Sequence, residues 1–156
     1  SGPYTQCGVR DDGFVECVGA TDASLPAVRD PQGGAYVDVA VGFDFACGVL
    51  ADGAIDCWGR SVDAGRMVRR VDTPTMRFTR VVAQYSGSVM CALTTTGLIR
   101  CFGAAVSPVL PLVFETPEGF TQLYLQPNEA VVCGLTTSGR VECAGSASGA
   151  SSWPPR

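Results

Sequence analysis

The chain has 156 residues and a net charge of −4; 46% of its residues are apolar and only 17% are charged. This composition is typical of a folded domain, because disordered chains carry more charge and less apolar surface. The mild negative charge disfavours a nucleic-acid partner, and no apolar run approaches the roughly 20 residues of a membrane-spanning helix. We therefore expect one repeat domain, residues 1–156, that neither binds nucleic acid nor inserts directly into a membrane.

Histidine is absent from the sequence. Its absence removes the usual general base of nucleophilic triads and the commonest zinc ligand. No glycine-rich phosphate loop followed by a helix is present either. We predict that the chain is not an enzyme and holds no cofactor and no metal ion.

The cysteines recur in chain order as four pairs on one frame. In every pair the second cysteine follows the first by ten positions, and a glycine follows the first by six. The pairs are Cys7 and Cys17, Cys47 and Cys57, Cys91 and Cys101, and Cys133 and Cys143. The first cysteines lie 40 to 44 residues apart, a period typical of propellers and other repeat arrays.

Each cysteine pair fits a β-hairpin with a three-residue loop. In the hairpin 47–57, a loop at 51–53 places Gly53 in the left-handed region and sets Cys47 opposite Cys57. The closing pair, Leu50 and Ala54, is then hydrogen-bonded, so alternation leaves the cysteines at a non-hydrogen-bonded position. There the Cα atoms are about 4.5 Å apart, a separation that a disulfide spans.

The same count holds for the hairpins 7–17, 91–101 and 133–143. We therefore predict four intra-hairpin disulfides and an oxidising compartment. The alternative is four reduced or zinc-binding pairs, although zinc sites favour two- to four-residue spacers and often use histidine.

Alternating, β-branched stretches at 36–41, 78–83 and 120–125 precede the last three hairpins and predict strands. A glycine follows one residue after each second cysteine, and the connecting segment beyond it has room for a fourth strand. No stretch shows helical periodicity. The predicted fold is all-β, a propeller-like array of four short antiparallel blades with one intra-hairpin disulfide each.

The frame from Cys47 to Gly59 reads Cys-Gly-Val, three residues, Gly, three residues, Cys-Trp-Gly; the copy at 133–145 has Ala144 in the tryptophan position. This frame resembles the ectodomain repeat of plant crinkly-type receptor kinases. More broadly it is similar to the regulator-of-chromosome-condensation propeller superfamily, which includes a secreted bacterial β-lactamase inhibitor. The resemblance implies blades and a recognition role. Propellers of this kind usually have seven blades, so four hairpins form either a small propeller or part of a longer one.

A charged residue precedes each second cysteine, opposite a small residue of the partner strand. The four residues are Glu16, Asp56, Arg100 and Glu142. Arranged about an axis they would form a ring at a channel mouth that binds a cation or polar ligand. The alternative, which we favour, is ion pairing between blades.

Five of the eleven basic residues fall in one window of fifteen. They are Arg66, Arg69, Arg70, Arg77 and Arg80. One interpretation is a docking patch for an anionic partner, such as an acidic protein face or a sulfated glycan. The other is a solvated loop whose charges are offset by Asp63 and Asp72.

Trp58, Phe102 and Val18 follow second cysteines, and we expect them to pack between blades. The segments after Gly19, Gly59 and Gly103 differ in length and composition while the hairpins stay constant. Repeat scaffolds usually bind through such segments. We therefore predict a secreted or cell-surface module that binds a protein partner through its inter-hairpin loops, like a receptor ectodomain or a secreted inhibitor. The alternative is a lectin-like, glycan-binding propeller.

Overall fold

The computed structural model describes residues 5–19, 25–30, 34–65, 67–84, 89–103, 113–114, 116–126 and 130–146. These residues form four antiparallel sheets, which we call blades 1 to 4 in chain order. The predicted all-β, propeller-like array is therefore confirmed. None of the helical structure in these ranges is long and apolar enough to cross a bilayer.

Every blade is a meander in which strands consecutive in sequence are neighbours in the sheet. Blade 1 contains β1 (Thr5–Val9), β2 (Val15–Gly19) and β3 (Val28–Arg29). Blade 2 contains β4 (Tyr36–Val41), β5 (Phe45–Leu50), β6 (Ile55–Gly59) and β7 (Arg70–Val71). Blade 3 contains β8 (Phe78–Ala83), β9 (Val89–Thr94), β10 (Ile99–Gly103) and β11 (Val113–Phe114). Blade 4 contains β12 (Phe120–Leu125), β13 (Ala130–Thr136) and β14 (Val141–Ser146).

One disulfide joins the two hairpin strands of every blade, as predicted. The bonds are Cys7–Cys17, Cys47–Cys57, Cys91–Cys101 and Cys133–Cys143. The paired cysteines face each other directly in register, with Cα atoms 4.0 to 4.1 Å apart. The hairpin loop also closes as predicted, since the Leu50 N–H donates to the Ala54 carbonyl at 2.8 Å.

The strands β4, β8 and β12 have the predicted bounds and lie innermost in the array. β4 packs beside β8, and β8 packs beside β12. Each begins with an aromatic residue, Tyr36, Phe78 or Phe120, and has a β-bulge directly after it. In blade 1 the first described strand is β1, which is the counterpart of β5 in blade 2.

One short helix departs from the prediction. The segment after β6 forms a single turn, α1 (Arg60–Asp63), which the Ser61 hydroxyl anchors by donating to the Asp44 carboxylate. Four residues are too few to show a helical period, so no sequence pattern indicated this turn. The connecting segments also supply the two-residue strands β3, β7 and β11 at the outer edges of three blades.

The core lies between neighbouring blades. Trp58 and Phe102 are buried there, as expected, and the Trp58 ring packs 5.8 Å from that of Tyr36. The expectation for Val18 is wrong: its side chain is 63% exposed. Trp58 packs against blade 1, the blade that precedes its own. Val18 lies in blade 1, and the described residues contain no preceding blade for it to pack against.

Candidate recognition surfaces

The two ends of the blades differ. The three-residue loops 11–13, 51–53, 95–97 and 137–139 stand at one end, which we call the loop end. The other end, which we call the variable end, is formed by the described residues 25–27, 42–44, 60–65, 67–69, 84 and 126.

Hydrogen bonds of one repeating kind join the blades at the loop end. The first N–H of each innermost strand donates to the loop glycine carbonyl of the preceding blade. These bonds run from Tyr36 to Gly13 at 2.9 Å, from Phe78 to Gly53 at 2.9 Å and from Phe120 to Gly97 at 2.8 Å. The loop end is therefore occupied by contacts between blades, and the loops themselves are part of those contacts.

The loop glycines are required by both conformation and space. Their φ angles lie between 84° and 91°, in the left-handed region, as predicted. A Cβ on Gly13 would lie 2.5 Å from the Ala35 Cβ, and one on Gly53 would lie 2.7 Å from the Arg77 Cβ. At Gly139, in the last blade, the same atom would meet nothing within 4 Å. The steric requirement thus comes from the following blade.

A second glycine has a role that the sequence did not reveal. Gly48 and Gly134, directly after the first cysteines of their hairpins, lie under the aromatic residues that open β4 and β12. A Cβ on Gly48 would approach the Tyr36 ring to 2.5 Å, and one on Gly134 would overlap the Phe120 ring. Gly8 in blade 1 has open space around it. The Cys-Gly pair therefore makes room for the first aromatic of the blade.

The four candidate ring residues lie on the strands that carry the second cysteines, outside the innermost strands β4, β8 and β12. As predicted, they oppose small residues in register. Each has its own neighbour: Glu16 lies 3.9 Å from Arg10, Asp56 2.9 Å from Arg29, Glu142 3.3 Å from Arg140, and Arg100 lies over the Phe102 ring at 5.2 Å. Among the described contacts, no hydrogen bond or ion pair joins two of the four, and the described residues contain no cluster of acidic or cysteine side chains able to hold a metal ion. A channel site built on them stays a prediction.

Asp56 is the centre of a polar contact between blades 1 and 2. Its carboxylate, only 6% exposed, accepts hydrogen bonds from Arg29 at 2.9 Å and from the Tyr36 hydroxyl at 2.6 Å. The Arg29 guanidinium also lies 4.7 Å above the Trp58 ring. Burial and the hydrogen bond to Asp56 raise the pKa of Tyr36 well above its usual value. This group links β3 of one blade to β4 and β6 of the next.

The arginine window is spread over the molecule. Arg69 pairs with Asp63 at 3.1 Å at the variable end, whereas Arg70 and Arg77 both pair with Asp72, at 3.5 and 2.9 Å. The hydrogen bond from Arg77 and the charge of both arginines lower the pKa of Asp72. Arg66 lies outside the described residues. The docking role of these arginines stays a prediction, and the structure does not gather the described ones into one patch.

Arg80 lies apart from the other arginines, in a cleft of about 340 Å³ between the innermost strands. The cleft is lined by Asp38 from β4, by Arg80, Val81 and Val82 from β8, and by Gln122 and Leu123 from β12. The Asp38 carboxylate accepts a hydrogen bond from the Val81 N–H at 2.9 Å. The cleft therefore contains a carboxylate, a guanidinium and an amide on three adjacent strands.

Large apolar side chains are exposed in all four blades of the described structure. They are Val9, Val18 and Val28 in blade 1, Val37 and Phe43 in blade 2, Val113 in blade 3, and Tyr124 and Val141 in blade 4. Val141 is 45% exposed, whereas its counterparts in the other blades, Val15, Ile55 and Ile99, are fully buried by the blade that follows.

Residues 36–63, which form most of blade 2, match the regulator of chromosome condensation (RCC1) repeat. No curated protein sequence matches the chain significantly. The crinkly WD40 ectodomain of the Arabidopsis thaliana receptor kinase ACR4 is similar in structure, with a TM-score of 0.67 at 18% identity over 94% of this chain and 48% of that one. The whole ectodomain of the Physcomitrella patens receptor kinase CR4 gives 0.67 at 18% identity, over 92% and 39%. Prp20p of Saccharomyces cerevisiae, studied for its binding to Gsp1p and histones, gives 0.64 at 14%, over 91% and 41%.

These similarities confirm the resemblance seen in the sequence and show an RCC1-like propeller fold. The chain spans less than half the length of the solved chains it matches. The shared fold assigns no compartment or partner by itself, since receptor ectodomains and a histone-binding protein both have it.

Sequence reasoning missed three residues of these surfaces, namely Arg29, Asp38 and Gln122. Arg29 lies in a two-residue strand without a recognisable pattern. Asp38 and Gln122 could have been found by aligning the innermost strands on their first aromatic, because both stand two positions after it, as Arg80 does. That alignment places three different polar groups at one position of the repeat.

Proposed function

We propose that this chain is an extracellular recognition module that binds a protein partner through its variable end, as a receptor ectodomain or a secreted inhibitor does. The observation that carries the proposal is the difference between the two ends of the same blades. The loop end repeats one set of contacts between blades, whereas the variable end has a different segment in each blade. A fixed frame with unequal segments at one end is how repeat scaffolds present binding residues.

The extracellular part of the proposal is supported by the disulfides. All eight cysteines are paired within hairpins. Disulfides of this structural kind persist in secreted and cell-surface proteins and are rare in reducing compartments. The two plant proteins with a similar fold are receptor ectodomains.

A protein partner fits the chemistry of the variable end. Phe43 is 56% exposed in a turn that the bond between Ser61 and Asp44 holds against α1. At the same end of the blades, Arg69 and Asp63 form an exposed ion pair. Exposed aromatic and arginine side chains are enriched in protein interfaces. A lectin-like propeller should instead repeat its aromatics at equivalent positions, whereas Phe43 and Tyr124, the exposed aromatics of the described residues, occupy different ones.

Proximity labelling on intact cells of the source organism tests the proposal. The chain, fused to a biotin ligase, is compared with the variant Phe43→Ser/Arg69→Glu and with the control Arg140→Glu. Arg140 is a matched control, because its side chain is 66% exposed like that of Arg69 and is also ion-paired, but it lies beside a loop-end loop. We expect the same surface proteins to be labelled by the wild type and the control, and to be lost with the variant.

Two results would count against the proposal. The first is an unchanged set of labelled proteins with the variant, which would remove the variable end from recognition. The second is saturable binding of the wild type to a glycan array together with no protein labelling, which would favour the lectin-like alternative.

A further inference from the structure

The cleft between the innermost strands brings together one position from three repeats. Asp38, Arg80 and Gln122 are each the first residue to resume strand pairing after the bulge of β4, β8 or β12. Because β8 packs beside both other strands, the three side chains line the same cleft. Arg80 and Gln122 are exposed there, and Asp38 is half-buried.

The backbones of β8 and β12 each also offer a donor to this cleft. In blade 3 the Gln84 N–H bonds to Val89, so alternation places Val81 at a non-hydrogen-bonded position opposite Ala92. In blade 4 the Gln126 N–H bonds to Val131, and Leu123 is opposite Gly134 in the same way. The N–H groups of Val81 and Leu123 therefore point away from their hairpin partners, toward the cleft.

The N–H groups of Val81 and Leu123 have different side chains of the preceding blade beside them. The Val81 N–H donates to the carboxylate of Asp38, which comes from the preceding blade. At Leu123 the corresponding residue of the preceding blade is Arg80, which has no acceptor to offer. Among the contacts of the described residues, neither the Leu123 N–H nor the Arg80 guanidinium has an acidic or carbonyl partner. A guanidinium and a backbone N–H thus line one cleft where the neighbouring blade places a carboxylate.

We propose that this cleft binds a carboxylate, held by the Arg80 guanidinium and the Leu123 N–H with the Gln122 amide beside them. The bound carboxylate would accept a hydrogen bond from the Leu123 N–H, as the Asp38 carboxylate does from the Val81 N–H. Charge-assisted hydrogen bonds from a guanidinium and a backbone N–H are the usual way proteins bind carboxylates. We assign the carboxylate to the side chain of a Glu or Asp residue that a protein partner inserts, and this assignment rests on the proposed function.

The negative charge of Asp38 allows the proposal to predict the direction in which the affinity changes when that charge is removed. This charge lines the same cleft and opposes a second carboxylate by Coulomb repulsion. In Asp38→Asn that repulsion is removed, while the amide oxygen can still accept the Val81 N–H. Binding should therefore become several-fold tighter in this variant, which a purely structural role of Asp38 would not produce.

The test is an NMR titration of the ¹⁵N-labelled chain with N-acetyl-glutamate N-methylamide, and with the corresponding glutamine derivative as neutral isostere. We expect saturable shifts of the Leu123 amide and the Arg80 side-chain N–H with the glutamate derivative only. Arg80→Gln should weaken binding about tenfold, since charged hydrogen bonds contribute about that much. Arg140→Gln, which removes an exposed, ion-paired arginine beside a loop-end loop, should leave binding unchanged.

The proposal is overturned if no saturable shift occurs, if the glutamine derivative binds equally well, or if Arg80→Gln binds like the wild type. If acetate binds as tightly as the glutamate derivative, the ligand of the cleft is a free anion and not the side chain of a partner. Arg80→Lys keeps the positive charge, so it checks that weaker binding by Arg80→Gln is not caused by a loss of folding. Because the probes are small molecules, the titration stands whether or not the labelling experiment identifies a partner.

Discussion

Alanine at a loop glycine should cost more stability where the following blade packs against the loop than at Gly139, where no described residue does. Gly53 and Gly139 have nearly the same backbone conformation, with φ angles of 91° and 88°. They differ in surroundings, because only at Gly53 would the new Cβ lie 2.7 Å from the Arg77 Cβ and 3.2 Å from its Cα. The pair therefore separates the conformational cost of the substitution from the cost of the contact between blades.

The expected magnitudes follow from these two terms. An alanine in the left-handed region costs roughly 1–2 kcal/mol, partly offset by about 0.4–1 kcal/mol from the stiffer unfolded chain. Gly139→Ala should therefore lower the free energy of unfolding by roughly 1 kcal/mol. Gly53→Ala adds an overpacking term of about 1–3 kcal/mol, because the obstructing Arg77 atoms include backbone.

Urea unfolding with the disulfides intact, followed by tryptophan fluorescence and circular dichroism, measures the difference. The slope of the transition should be the same for both variants, since neither removes a strand. Equal losses of unfolding free energy in Gly53→Ala and Gly139→Ala would refute the reasoning, because the following blade would then contribute nothing.

Three further predictions concern the interior of the blades. Gly48→Ala should lower the free energy of unfolding by about 1–3 kcal/mol, because the added Cβ overpacks against the Tyr36 ring. Gly8→Ala, where the added Cβ meets open space, should be nearly neutral in urea unfolding. Equal effects would mean that Gly48 does not make room for the Tyr36 ring. Because the folded-state pKa of Tyr36 is raised, its contribution is fully present below the ordinary tyrosine pKa of about 10 and is lost as pH rises toward the folded-state value. The stability advantage of the wild type over Tyr36→Phe should therefore shrink above about pH 10, and an advantage independent of pH would contradict this. Replacing both Cys47 and Cys57 by alanine should lower the unfolding free energy by about 2.5–3 kcal/mol on a chain-entropy model, and unchanged stability would argue against that constraint.

The hairpins could be predicted because their determinants are local. The loop glycine and the cysteine spacing act within eleven residues, so turn geometry alone sets Cys47 opposite Cys57. The innermost strands were predictable for a similar reason, since an alternating, β-branched stretch indicates a strand by itself. Both patterns occur several times in the chain, and each repetition supports the others.

The contacts between blades could not be predicted in this way. Arg29 and Asp56 are 27 residues apart, and only the packing of blade 1 on blade 2 brings them together. The arginine window shows the converse, because residues close in sequence are separated by the strands between them. Arg69 lies at the variable end, Arg77 contacts Gly53 at the loop end, and Arg80 lines the cleft.

Thiol counting most directly tests whether disulfides cross-link the four hairpins and whether the protein lies in an oxidising compartment, as proposed. The protein is isolated from its native source without reductant, unfolded in guanidinium chloride and treated with an alkylating reagent before mass spectrometry. We expect no alkylated cysteine, and proteolysis should release four cross-linked hairpins that join residues 7 and 17, 47 and 57, 91 and 101, and 133 and 143. Eight alkylated cysteines would contradict the disulfides and the proposed extracellular role, and cross-links between different hairpins would contradict the described fold.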